Sequence, residues 1–349
     1  MAYSTISKPS LYFNTKLTTG TGNSQAVTGV GFQPDWIWGK RRDSTGNHSL
    51  FDAVRGITKG LETNSNGAEF TSTDYYSSFD SDGFTIAAGS GGAGNGSSQT
   101  AAQWCWKANG AGSANTDGSI NSTVSANTTS GFSIVKWVGT GANATIGHGL
   151  NAVPKMIICK NLSSTADWYM YNEVIGNTKS ILLNSINGQT SAYSDNWNNT
   201  SPTSSVFSVG SSSSTGGANG NNMIAYCFAE KKGYSKFGSY KGNANANGTF
   251  VYTGFKPAFI LLKDYTSQSN WYIFDSKRLG YNVDNNGVRP NTNGAEATDD
   301  DLDILSNGFK LRGSGNDVNK NNATFLYMAF AEEPLVANVG ANGIPNTAR

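Results

Sequence analysis

The stretch GFKPAFILLK at 254–263 decides the fold, because the chain writes it again as GFQPDWIWGK at 31–40 and more loosely as NAVPKMIICK at 151–160. A catalytic motif is usually written once, whereas a phrase written three times describes how something is built. In each copy a proline is followed by an apolar burst and, six residues on, a lysine: Pro34 and Lys40, Pro154 and Lys160, Pro257 and Lys263. An aromatic followed by Asp or Asn comes next, as Phe51-Asp52, Tyr171-Asn172 and Phe274-Asp275, with the acid or amide 12 residues after the lysine each time. Then come SDGF ending at Phe84, SSVF ending at Phe207 and SNGF ending at Phe309. A final burst closes each copy at Trp106, Phe228 and Phe330, 22, 21 and 21 residues later. Four landmarks in one order at nearly fixed intervals define a triplicated unit of about 100 residues, longer than a solenoid repeat.

The bursts alternate and favour aromatic and β-branched residues, as half-buried strands do. FSIVKWVG at 132–139, WYMYNEV at 168–174 and TFVYTGF at 249–255 fit this pattern. Gly, Asn and Ser-Asp-Gly clusters separate them at turn spacing. Helical periodicity is nearly absent; its best window, 53–61, carries glycines that weaken it. The expectation is an all-β chain of three tandem antiparallel β-sandwich domains. A jelly-roll or concanavalin-like sandwich is preferred to an immunoglobulin type, whose Cys…Trp…Cys signature is missing. Proline enters each strand at its first residue without losing a ladder bond, and Lys40, Lys160 and Lys263 are expected at solvated strand ends.

The expected layout is an N-terminal docking arm at 1–12, sandwich repeats at 13–110, 131–233 and 234–336, a linker at 111–130 and a tail at 337–349. Alternation in SINSTVSA, 119–126, suits adding a strand to a sheet edge. Repeats two and three meet at EKKGYSKFGSY with almost no linker, which points to rigid packing.

Composition narrows the function. The 349 residues carry 25 basic and 24 acidic side chains, a formal net charge of +1. Such a chain has no electrostatic reason to seek nucleic acid or an anionic membrane. Charged residues are 14%, against about 25% in typical soluble domains. No apolar stretch approaches the ~20 residues that span a bilayer, and MAYSTISKPS lacks the n- and h-regions of a secretion signal. Assembly in a cytoplasm is therefore expected. Cys105, Cys159 and Cys227 are odd in number and each sits in an apolar burst, so they read as buried free thiols.

Catalytic patterns fail one by one. His48 and His148 have no ligand partners at metal spacing. GSGGAG at 89–94 matches a phosphate loop formally, but no helix follows it. Asp299, Asp300, Asp301 and Asp303 could offer oxygens to a calcium ion; the plainer reading is a solvated turn. Glycoside cleavage needs two opposed carboxylates. The equivalent pair Glu230 and Glu332 faces Ala108 in copy one, which reads as structural. No enzyme activity, cofactor or metal is expected.

The segment before the third landmark varies most among copies, and loops on a rigid scaffold carry function. Tyr75, Tyr76, Tyr193 and Trp197 stand there among Asn, Asp and Ser. Aromatic faces stack on sugar rings while polar groups bond hydroxyls, so these four are the candidate glycan or partner contacts. Packing within the fold or against a neighbour is the competing reading.

ISKPSLYFNTKL, TGVGFQPDWIW, SFDSDGF, TVSANTTSGFSIV, GTGANATIGHGL, IAYCFAEKKGYSKFGSY, SNGFKLR, YMAFAEEPLVANVG and the ending IPNTAR together resemble a family of proteins encoded by tailed bacteriophages, many of them marine or cyanobacterial phages. The resemblance covers essentially the whole chain. It implies lectin-like β-sandwich repeats and a place in the virion, and it carries no catalytic residues. The expected role is a non-enzymatic structural protein of a tail fibre or appendage that contacts the host surface. Its expected partners are other virion proteins, further copies of itself (a trimer in many such appendages) and a host surface glycan. A capsid decoration, head fibre or tail-connecting piece is the alternative, and a glycan depolymerase the third.

Overall fold

The computed structural model describes residues 4–89, 91–278, 282, 286–298, 302–339 and 342–345. Of the acidic run, Asp299, Asp300 and Asp301 lie outside the described residues. The fold is nearly all antiparallel β, as the alternation requires. Repeat one contains β1 (Phe13–Thr19), β2 (Gln25–Val27), β3 (Trp36–Arg41), β4 (Ser49–Asp52), β5 (Lys59–Glu62), β6 (Phe70–Thr71), β7 (Tyr76–Asp80), β8 (Gly83–Ile86) and β9 (Thr100–Trp106). They form a large sheet, ordered β1-β9-β3-β4-β5-β6, and a small sheet, β2-β8-β7.

The next segment supplies β10 (Ser113–Asn115) and β11 (Ser122–Asn127). Repeat two follows with β12 (Phe132–Val138), β13 (Ala144–Gly147), β14 (Met156–Asn161), β15 (Tyr169–Asn172), β16 (Gly176–Leu182), β17 (Val206–Val209) and β18 (Asn222–Phe228). Its large sheet runs β10-β11-β12-β18-β14-β15-β16, and β13 pairs with β17. The SINSTVSA alternation thus adds a strand to an edge, with Val124 opposite Val135. Repeat three holds β19 (Ser235–Lys241), β20 (Phe250–Tyr252), β21 (Phe255–Asp264), β22 (Trp271–Asp275), β23 (Asn286–Gly287), β24 (Ala297–Thr298), β25 (Leu302–Leu305), β26 (Gly308–Leu311) and β27 (Thr324–Pro334). Its sheets are β19-β27-β21-β22 and β20-β26-β25. β28 (Val336–Val339) and β29 (Asn342–Pro345) close the chain as a hairpin. The window at 53–61 forms turns that lead into β5, consistent with its glycines.

Strand alternation sorts side chains into four cores. Ile37 and Cys105 face the interior of sandwich one, Ile157 and Cys159 that of sandwich two, and Ile260 and Leu262 that of sandwich three. The opposite faces of the same strands send Trp36, Trp38, Trp104 and Trp106, then Met156, Ile158 and Tyr226, then Phe259, Leu261 and Phe330 into one shared core. The large sheets are therefore buried on both faces, and the repeats enclose a common centre. Trp36 lies 4.6 Å from Tyr226 and 4.5 Å from Trp106, and Trp106 lies 5.6 Å from Phe330, ring centre to ring centre. Each large aromatic removes about 150–250 Å² from water, an upper bound on the order of 4–6 kcal/mol before ordering entropy. The N-terminal arm docks on the joint of repeats two and three: Ile6 enters the shared core and Thr5 N–H donates to the Lys232 carbonyl at 2.8 Å.

Candidate functional site

The expected contact residues separate on folding. Tyr76 is fully buried, its hydroxyl on Gln103 Oε1 at 2.5 Å and its ring edge-on to Phe51 and Phe84. Trp197 is also core: its Nε1 donates to Ser180 Oγ at 2.8 Å and its ring meets Tyr171. Neither offers a face to a sugar. Tyr76 opens β7 with its side chain in the core of sandwich one, and Tyr75, in the bend just before the strand, packs on the edge of that same core. Trp197 ends the short helix Ser194–Trp197, which folds it inward. Tyr75 is half-buried against Phe51 and Phe70. Tyr193 stays 53% exposed.

The repeated lysines are the main correction. Lys40, Lys160 and Lys263 are buried at the joints between repeats. Lys160 Nζ donates to the carbonyls of Asn66 at 3.1 Å and Ala166 at 2.6 Å. Lys263 Nζ reaches Ile186 O at 2.8 Å and Ser269 O at 2.5 Å. Lys40 Nζ reaches Arg41 O at 2.7 Å and Asn293 O at 3.5 Å. Each lysine thus tethers a carbonyl of another repeat: two to one, three to two, one to three. Main-chain bonds repeat the cycle, with Ala166, Ser269 and Gly46 N–H on those same three carbonyls at 2.9 Å. Glu69, Gln189 and Glu296 N–H donate in turn to Leu162, Tyr265 and Arg42 carbonyls. The ring is closed. Burial pushes all three lysines down to about 8, because an ammonium is poorly solvated there.

A second set of joint residues varies in concert. Arg55 Nε meets Asp52 Oδ2 at 2.5 Å, and Tyr226 OH of repeat two donates to the same oxygen at 2.8 Å. Arg278 Nε meets Asp275 Oδ2 at 2.6 Å, and Trp104 Nε1 of repeat one donates to that oxygen at 2.9 Å. Glu69 and Glu296 complete the two clusters at Arg55 and Arg278. By landmark spacing the third joint holds Asn172, Ile175, Gln189 and Met328. All charges are absent together there, as expected if a buried charge is kept only with its partner. The lysine-to-Asp interval of 12 was legible in the sequence; that these residues meet across repeats was not.

His48 occupies the position of Trp168 and Trp271, eight residues after its lysine. Those indoles donate to Glu62 O and Leu182 O of the preceding repeat, each at 2.9 Å. His48 Nδ1 instead accepts from Trp38 Nε1 at 3.0 Å, so the neutral ring carries its proton on Nε2. Burial holds its pKa well below the usual histidine range. The three cysteines are buried and free, and burial pushes their thiols up. Among the described residues no His, Cys, Asp and Glu group has metal-binding geometry. Asp303 pairs with Arg312 at 2.5 Å.

One recess stands apart. A cavity of about 390 Å³ opens between β19 and β20, lined by Glu230, Ser235, Lys236, Tyr252, Gly254 and Leu335 among others. Tyr252 is 53% exposed beside it, and Phe250 projects from the same edge strand. The TFVYTGF alternation places both aromatics outward, a signal present in the sequence but read there only as a strand.

The structure defines the class: an all-β protein of antiparallel sheets stacked as sandwiches. A family profile described as Domain of unknown function (DUF7483) matches residues 8–334, and the chain belongs to that family. No curated protein and no solved structure matches it.

Proposed function

We propose that the protein is a non-enzymatic structural component of a tailed-phage virion, part of a tail fibre or appendage that contacts the host surface. The observation that carries this reading is the closed ring of joints around a shared core. Three sandwiches held by buried lysine tethers and a common aromatic centre form one stiff body. Such a body displays three sets of surface loops at fixed spacing, which suits multivalent contact, where linked weak sites gain avidity. The phage-family resemblance of the sequence supports the virion setting. Tyr193 and Tyr75 remain the glycan-contact candidates in this reading. Other virion proteins and further copies of the chain are its proposed partners, and particle assembly in the host cytoplasm its proposed origin.

A second reading, a head decoration or a piece connecting tail parts, is favoured by the open recess at β19, which suits a protein neighbour. Cryo-electron microscopy of particles carrying this chain separates the two. Density at the distal end of a tail appendage, together with binding of purified protein to host cells or envelope glycans, supports host contact. Density on the head lattice or in a collar, with no host binding, overturns it.

A further inference from the structure

The three repeats meet one problem in three ways. Each sandwich has a gap where the first strand of its large sheet runs beside the first strand of its small sheet. In register, Phe13, Phe132 and Ser235 are equivalent, since each pairs with the last aromatic of its repeat. In repeat two, β11 fills the gap: it pairs along β12, and Val124 enters the sandwich core. In repeat one, side chains of β1 bridge it. Asn14 Nδ2 donates to Val30 O at 3.1 Å and Lys16 Nζ to Gly29 O at 3.1 Å. In repeat three the equivalents of Asn14 and Lys16 are Lys236 and Gly238, and the 390 Å³ cavity opens at the Ser235–Lys236 end of the gap.

The chain cannot fill this gap as it fills the second. The turn at 231–235 begins a hairpin like that before β12, with a Lys231–Ser235 bridge. The preceding residues already belong to β18, so no strand returns along β19. Among the described residues, the outer edge of β19 beyond Ser235 is met by side-chain partners. Phe237 N–H donates to Glu230 Oε2 at 3.3 Å, a long bond to an exposed side chain, and Thr249 Oγ1 donates to Lys241 O at 2.7 Å. Ser239 lies between them on the same edge; its counterpart Lys136 pairs with Thr123 of β11. Lys236 and Glu230 both line the cavity wall.

We propose that β19 accepts an extended peptide strand from a partner protein, added antiparallel as β11 is added to β12. The strand carries a small apolar residue opposite Gly238 and an acidic residue opposite Lys236. Main-chain bonds to the edge give affinity and alternate side chains in the cavity give selectivity. This inference does not depend on the host-contact reading.

The probe is a synthetic peptide of residues 119–127 of this chain, SINSTVSAN, with and without Ala126→Asp, titrated into the full chain. Saturable binding with slowed amide exchange at 237–241 is expected. Ser239→Pro removes an outward N–H from an edge strand, where proline is tolerated; it should leave thermal unfolding unchanged and weaken the peptide roughly tenfold. Lys236→Glu should selectively weaken the Ala126→Asp peptide. Absence of binding of either peptide up to ~1 mM would overturn the proposal. So would equal binding by both protein variants, or protection of Tyr252 and Thr253 by neutral oligosaccharides and not by peptide.

Discussion

At the residue scale, the joints rest on a few buried polar atoms. Lys160→Met removes the ammonium donor from the Ala166 carbonyl, while the Asn66 carbonyl keeps the Ala166 N–H, and losing the donor of one shielded carbonyl costs about 1–3 kcal/mol. A fall in the urea midpoint of that order is expected. The lysines also set a pH dependence. Their folded value of about 8 lies below the ordinary lysine range near 10.4. From pH 8 upward the unfolded chain keeps protons that the folded chain has released, so stability rises with pH. The buried thiols work the other way above about 8.5, because they ionise only when unfolded. The urea midpoint should therefore climb from about pH 8 and then level off as the thiol effect sets in above about 8.5. Lys263→Met should show a smaller climb; identical curves would refute the assignment.

Charged clusters give a sharper residue-scale contrast. Asp52→Ala leaves the buried Arg55 with Glu69 as its remaining carboxylate and should cost up to about 3–5 kcal/mol, the range for breaking a buried pair. Asp275→Asn with Arg278→Ile imports the neutral set of the third joint. Glu296 keeps Arg42 at 2.9 Å, and Trp104 keeps an oxygen acceptor. That double variant should lie within about 1–2 kcal/mol of the parent, while Asp275→Ala alone falls far below it. Equal losses in urea melts would show that the charges are not exchanged as a unit.

At the element scale, the same strand pair is built with different edges. Val124 of β11 closes sandwich two, so Val124→Asp should open that edge and destabilise the protein by several kcal/mol, as an unpaired buried charge does. The tight turn between β7 and β8 sets another limit. Gly83 has φ +154°, and an added Cβ would stand 1.9 Å from the Val27 carbonyl. Gly83→Ala should therefore force β2 and β8 apart, seen as faster amide exchange at 25–27. Alternation predicted these strands well because one face of each is apolar. It failed at the lysines, since a charged residue at a strand end reads as solvated unless another chain segment covers it.

At the scale of the whole molecule, the shared core couples the repeats. A single unfolding transition by calorimetry and by tryptophan fluorescence is expected, because repeats that share one core lose it together. A chain cut after residue 233 should not fold to native-like compactness, since it exposes Trp106 and Phe228 where Phe330 covered them. Three separate transitions would show independent domains instead.

The sequence by itself determined the all-β class, the three copies, the strand positions and the added edge strand. Each of these follows from local alternation, turn chemistry and interval counting. It could not determine where the second apolar face of each large-sheet strand goes. Trp36 and Ile37 are both apolar, and only the assembled ring decides that one meets Tyr226 and the other its own sandwich. The same holds for Tyr76, Trp197 and the three lysines. The lysines take their environment from carbonyls 77, 94 and 253 positions away in the joints, Tyr76 from Gln103 across its own sandwich and Trp197 from the packing of a helix turn, and a one-dimensional pattern does not record such contacts.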